Sequence, residues 1–173
     1  MHLSQIASQN PNKPAYIMAG SGQTVTYEGL EAGSNQLAQL FRSLGLMRGD
    51  HIAILLENHA LFLQICVAAQ RAGIYYTAIS YRLQSDEVEY IVNDCGARVF
   101  ITSIDRRAVV EPLIGRLENL DQFFMLDGVI AGFESLEAAM QNQSTQMIED
   151  ESIGTSMLYS SGTTGWPKGV YRQ

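Results

Sequence analysis

The sequence predicts an α/β fold, a mostly parallel sheet with helices on both faces, and three observations predict it. Short strand-like runs recur at His51 to Leu56, Tyr75 to Ser80 and Arg98 to Thr102, the first of them continuously apolar, as in a strand covered on both sides. Segments of helical periodicity separate these runs, and strand alternating with helix implies parallel strands joined by crossover helices. The final run, 155–159, leads straight into a glycine-rich segment, and open α/β sheets hold ligands beyond the carboxyl ends of their strands.

Residues 14–19 and 23–26, separated by Gly20-Ser21-Gly22, predict an entry hairpin. From Tyr27 to Leu44, Leu30, Leu37, Leu40, Phe41 and Leu44 recur at helical spacing, with Thr26 as N-cap and Gly45 as terminator. The opposite face of that helix, Glu31, Asn35, Gln39 and Arg42, is polar. A turn at Arg48-Gly49-Asp50 precedes the strand that His51 begins, and 60–72 predicts a second, mostly buried helix. After the strand at 75–80, Ser85 is placed to cap a third helix. Its first turn carries Asp86 and Glu87, which suit the positive end of the dipole, and Val88, Ile91, Val92 and Cys95 form one apolar face. The strand at 98–102 is followed by a helix over about 106–118, a strand over about 122–127 and a helix over about 133–140. The polar stretch from Gln141 to Ser152 reads as a surface loop.

A chain of 173 residues that is 46% hydrophobic and 17% charged is long enough for one buried core, so one domain is expected, neither disordered nor fibrous. Net charge is −7, and the eleven Lys and Arg are scattered, which excludes a basic stripe for a nucleic-acid backbone. Cys66 and Cys95 lie in apolar helical patterns without paired spacing, so buried thiols are expected rather than a disulfide or a metal site. His2, His51 and His59 form no ligand cluster with carboxylates at i, i+4 spacing. The start Met-His-Leu-Ser-Gln lacks a secretory pattern, and 52–74 is interrupted by Glu57, Asn58, His59, Gln64, Gln70 and Arg71, too polar for a membrane span. A soluble protein of a reducing, cytoplasmic compartment is expected.

The segment that carries chemistry is Tyr-Ser-Ser-Gly-Thr-Thr-Gly-Trp-Pro-Lys-Gly-Val at 159–170. Gly162 and Gly165 allow tight turns and close approach to a ligand. Ser160, Ser161, Thr163 and Thr164 supply donors, and Lys168 supplies a positive charge. These are the parts of a polyphosphate cradle. The phosphate loop of P-loop hydrolases requires Gly-Lys and then a Ser or Thr for magnesium; here Pro167 precedes Lys168 and Gly169 follows it. A Gly/Ser/Thr-rich surface turn is the plainer alternative.

The segment resembles the phosphate loop of the adenylate-forming superfamily, which includes acyl-CoA synthetases, aryl-CoA ligases, luciferases and peptide-synthetase adenylation domains. Their pattern is Tyr-Thr-Ser-Gly-Thr-Thr-Gly-x-Pro-Lys-Gly-Val, from which only Ser160 departs, keeping the hydroxyl. The resemblance extends from about Pro14 to Arg172. Val25-Thr26-Tyr27-Glu28-Gly29-Leu30 is similar to the family's Leu-Thr-Tyr-x-Glu-Leu, with Gly29 in place of the Glu that would complete a capping box. Residues 49–58 resemble its Gly-Asp-x-Val-Ala-Ile-x-x-x-Asn strand. Ala78-Ile79-Ser80-Tyr81-Arg82-Leu83 stands where acyl-CoA synthetases have Pro-Ile-Asn-x-Arg-Leu.

The resemblance implies the amino-terminal subdomain of the acyl-CoA synthetase-like fold and a two-step ligase. A carboxylate attacks the α-phosphorus of ATP to give an acyl-adenylate and pyrophosphate, and a thiol, usually coenzyme A, takes the acyl group. It implies that Ser160, Ser161, Gly162, Thr163, Thr164 and Gly165 hold the β- and γ-phosphates and that Lys168 neutralises the departing pyrophosphate, with magnesium accompanying ATP. Trp166 reads as a packing or lid residue, and Tyr159 as the last strand residue. The family's adenine pocket, acyl tunnel, magnesium-binding glutamate and adenylation lysine come from later positions, so a fragment inactive by itself is expected, with an open sheet edge or a homo-oligomer that covers it. Alternatives are an aryl-CoA ligase, an amino-acid adenylation domain, or a non-catalytic interaction module that retains the loop.

Overall fold

The computed structural model describes residues 2–160 and 168–170. A short helix, α1 (Leu3–Gln9), leads to an antiparallel hairpin of β1 (Pro14–Ile17) and β2 (Thr24–Thr26). Then come α2 (Tyr27–Ser43), β3 (His51–Leu55), α3 (Phe62–Arg71), β4 (Tyr75–Ile79), α4 (Ser85–Asp94) and β5 (Ala97–Ser103). The chain continues through α5 (Arg107–Val110), β6 (Gln122–Leu126), β7 (Glu134–Ser135), α6 (Leu136–Gln141), β8 (Leu158–Ser160) and β9 (Lys168–Val170). Strands β3 to β7 form one sheet in the order β4-β3-β5-β6-β7, with every pairing parallel.

Successive side chains of a strand point to opposite faces, so a sheet covered twice must be apolar at consecutive positions. Strand β3 meets that demand. Ile52 and Ile54 pack with Leu37, Phe41, Ile65 and Ala69 of α2 and α3, while Ala53 and Leu55 pack with Val88, Ile91 and Val92 of α4 and with Cys95 just after it. The predicted α/β layering is therefore the observed one.

Helix α2 begins where Thr26 Oγ1 accepts the Gly29 N–H at 3.1 Å and ends at Gly45, whose φ of +76° suits a residue without a Cβ. Its polar face is a docking surface. Asn35 Nδ2 donates to the Thr145 carbonyl at 2.9 Å, Gln39 Nε2 to the Gln146 carbonyl at 3.0 Å, and Arg42 Nε to the Asp150 carboxylate at 3.1 Å. The polar loop from 141 to 152 is thereby strapped along the helix.

Several sequence expectations are corrected. The helix expected at 106–118 is a single turn, α5, between 3-10 turns at Ile104–Arg106 and Glu111–Leu113. Pro112 cannot donate a helical hydrogen bond, Ile114 is already extended at ψ 121°, and Gly115 stands at φ +82°. Gln84, not Ser85, is the N-cap of α4: its N–H donates to the Glu87 carboxylate at 3.0 Å, while Ser85 Oγ donates to the Val109 carbonyl at 2.7 Å. Helix α6 starts at Leu136 because Ser135 caps it, accepting the Ala138 N–H at 3.2 Å, and Glu134 and Ser135 pair with β6 instead. The strand expected at 155–159 is a single parallel bridge, Tyr76↔Ser156, followed by β8, which pairs with β9 outside the main sheet. Helix α1 has no counterpart among the sequence expectations, being only seven residues long.

Cys66 and Cys95 are free and buried. Burial pushes the Cys66 thiol up to about 12 and raises Cys95 as well, because a thiolate loses its hydration there. Native protein at pH 8 is expected to leave both unlabelled by a thiol reagent, and urea is expected to release both. Prompt labelling without denaturant would contradict this burial. Among the described residues no helix is long and apolar enough to cross a membrane.

Candidate functional site

The candidate loop is mounted on the two-stranded ribbon β8–β9. Its antiparallel register sets Leu158 opposite Val170, Tyr159 opposite Gly169, and Ser160 opposite Lys168. Ser160 Oγ lies 3.5 Å from the Lys168 carbonyl, and both residues are exposed. The two residues that bracket the segment thus stand opposite each other across the ribbon. Ser161, Gly162, Thr163, Thr164 and Gly165 lie outside the described residues, as do Trp166 and Pro167.

The approach to the ribbon runs along the edge strand β4. Tyr76 donates its N–H to the Thr155 carbonyl at 3.1 Å, and the Met157 N–H donates to the Tyr76 carbonyl at 2.9 Å. Gly154 makes this possible, because a Cβ there would collide with the backbone carbonyls of Ala69 and Ile74. Backbone cannot step aside as a side-chain tip can. Gly154→Ala is expected to cost about 1–3 kcal/mol in urea unfolding and to loosen 152–157 from β4. An unchanged midpoint would refute that contact.

Strand β8 then turns over α4. Met157 is buried in the α4-side core, and the phenol of Tyr159 donates to Asp94 Oδ2 at 2.5 Å. Tyr159 was expected only to end a strand; it is also the polar anchor of the ribbon. Gly169 is matched to it, since a Cβ at that position would stand 3.2 Å from Tyr159 Cζ. An aromatic residue facing a glycine across an antiparallel pair is a recognisable stabilising device, and its sequence signal is the flanking of the loop by Tyr159 and Gly169.

A second concave feature lies beyond the carboxyl ends of β3 and β4. This cleft of about 750 Å³ is lined by Tyr16, Met18, Glu57, His59, Phe62 and Tyr81 among others. Glu57 accepts from Ser103 Oγ at 2.8 Å and faces Arg106 at 3.6 Å, and Arg106 donates to the Tyr81 carbonyl at 3.2 Å. His59 Nε2 lies 3.1 Å from Asp127 Oδ2. The turn after β4 forms without proline: the Leu83 N–H donates to the Ser80 carbonyl at 3.1 Å. No described residue of the ribbon lines this cleft, and residues 161–167 lie outside the described residues.

The fold and the segment it presents together define a class. The chain belongs to the AMP-binding enzyme family, whose model matches residues 3–173. FadD13, a long-chain-fatty-acid–CoA ligase of Mycobacterium tuberculosis, is 28% identical over 171 residues, 97% of this chain and 33% of that protein. Long-chain fatty acid transport protein 1 of Bos taurus is 29% identical over 174 residues, 94% of this chain and 27% of that protein. The crystal structure of the anthranilate CoA ligase AuaEII in complex with anthranoyl-AMP superposes with a TM-score of 0.88 at 26% identity, covering 97% of this chain and 33% of that one. The chain spans about a third of the length of the curated relatives it matches.

Proposed function

We propose that this chain is the amino-terminal part of a cytoplasmic, ATP-dependent acid–thiol ligase acting on a fatty or related acid, with coenzyme A as the thiol. The carboxylate oxygen forms a bond to the α-phosphorus as the bond to pyrophosphate breaks. The thiol sulfur then bonds to the acyl carbon as AMP leaves. The observation that carries this reading is the segment 159–170, complete in its Gly and Lys positions and departing only by Ser for Thr at 160, in a chain that the AMP-binding model matches over residues 3–173.

In this reading Ser160, Ser161, Gly162, Thr163, Thr164 and Gly165 present amides and hydroxyls to the β- and γ-phosphates. Lys168 neutralises the charge that develops on pyrophosphate. The described residues hold no group of three or more His, Cys, Asp or Glu suited to a metal ion. In this reading magnesium accompanies ATP. The adenine and acyl pockets are supplied from outside this chain.

The test is carboxylate-dependent exchange of labelled pyrophosphate into ATP by the intact natural protein, with fatty, aromatic and amino acids compared. Exchange driven by fatty acids is the expected result, and no exchange with any acid would overturn the reading in favour of an interaction module. The 173-residue chain alone is expected to show none. A second reading, an aryl-CoA ligase, draws on the similarity to a structure that carries anthranoyl-AMP, and exchange driven by aromatic acids alone would select it.

A further inference from the structure

Tyr159 sits one residue from Ser160 along its own strand and diagonally across the ribbon from Lys168. Its ring packs against Gly169, where a Cβ would stand 3.2 Å from Cζ and 3.3 Å from the phenolic oxygen. The hydroxyl reaches Asp94 Oδ2 at 2.5 Å, across 65 positions of sequence. Asp94 is the last residue of α4, whose last turn carries no basic residue. A carboxylate at a helix carboxyl end faces the negative end of the dipole, so a strong neutral donor is what it needs. Burial, and then the bond to Asp94, raise the Tyr159 phenol, which keeps it a protonated donor at neutral pH.

The geometry points to Tyr159, through its hydrogen bond to Asp94, as a positioning residue that fixes where the ribbon presents Ser160 and Lys168. This inference rests on the proposed ligase reading, in which those two residues meet the nucleotide phosphates. Electrostatic stabilisation depends on groups held in place before the reaction, and a misplacement of about 1 Å can cost about 10²-fold. A tether adjacent to Ser160 and diagonal to Lys168 controls that placement. Neither Tyr159 nor Asp94 needs to touch ATP.

The test uses the intact natural protein. Tyr159→Phe keeps the ring against Gly169 and deletes only the tether. It is expected to lower kcat/KM for ATP in pyrophosphate exchange by about 10-fold or more, short of that limit, with the KM for the acid and the melting temperature unchanged. Asp94→Ala should give the same loss. Asp94→Asn, whose amide oxygen still accepts, should recover most of it. The Tyr159→Phe/Asp94→Ala double variant should be no worse than either single one, because the two residues act through one bond.

Wild-type ATP kinetics in Tyr159→Phe, additive losses in the double variant, or equal rises in KM for ATP and acid would each overturn the proposal. Should Tyr159→Phe fail to fold, the contrast between Asp94→Ala and Asp94→Asn decides it. An inactive wild type would instead remove the ligase reading, and this inference with it. An active wild type with an indifferent Tyr159→Phe removes the tether alone.

Discussion

Replacing Lys168 by alanine in the intact natural protein is expected to slow carboxylate-dependent pyrophosphate exchange by about 10²–10³-fold, the usual cost of deleting one preorganised group that meets charge in a transition state. The side chain is exposed and stands on β9 opposite Ser160. Its removal opens no core, so stability should not change, and a loss of activity would be chemical. Lys168→Arg keeps the charge but replaces a compact ammonium with a broad planar fork, and should recover only part of the rate. Exchange at wild-type rate in Lys168→Ala would end the assignment of this loop to the phosphates.

The largest effect on stability is expected at Arg71. Its side chain is 4% exposed, and it pairs with Glu31 at 2.8 Å and Glu151 at 3.5 Å while donating to the Asn35 side-chain oxygen. Glu151 also meets His2 at 3.2 Å. One guanidinium thus joins α2, α3 and the end of the polar loop, and Glu151 carries the cluster on to the amino terminus. Arg71→Ala takes a buried cation from Glu31 and leaves Glu151 with His2 alone, which costs about 3–5 kcal/mol. In a chain of this size that corresponds to a fall of roughly 6–20 °C in Tm. Arg71→Met combined with Glu31→Gln and Glu151→Gln should recover much of the loss, because the penalty comes from unpaired charge. Arg107, paired with Glu111 on an exposed turn, makes the control: Arg107→Ala should leave the midpoint where it was. Equal behaviour of the two variants would show that the buried cluster contributes nothing.

The parts of the fold legible in the sequence are those set by near neighbours. The apolar run of β3, the Thr26 cap, the Gly45 stop and the i, i+3, i+4 face of α4 each depend on residues within a few positions, and each stands as read. The glycine segment is recognisable in the sequence by residue types at fixed spacing, and its residues 161–167 lie outside the described residues. Errors arose elsewhere. Ser85 is the residue type that suits a cap, but its hydroxyl donates to Val109, 24 positions away, and Gln84 caps the helix instead. At 106–118 the expected helix gives way where Pro112 and Gly115 impose their own backbone geometry.

Residue order by itself determined the layered α/β architecture, the two buried thiols and the composition of the loop, because burial periodicity and turn chemistry act over a few residues. Only the tertiary structure decided that the polar face of α2 straps down a loop, that Arg71 gathers three segments, and that Tyr159 fastens the ribbon to Asp94. Those contacts join residues tens of positions apart. Their energies depend on distance, burial and direction in space, which no periodicity along a chain encodes.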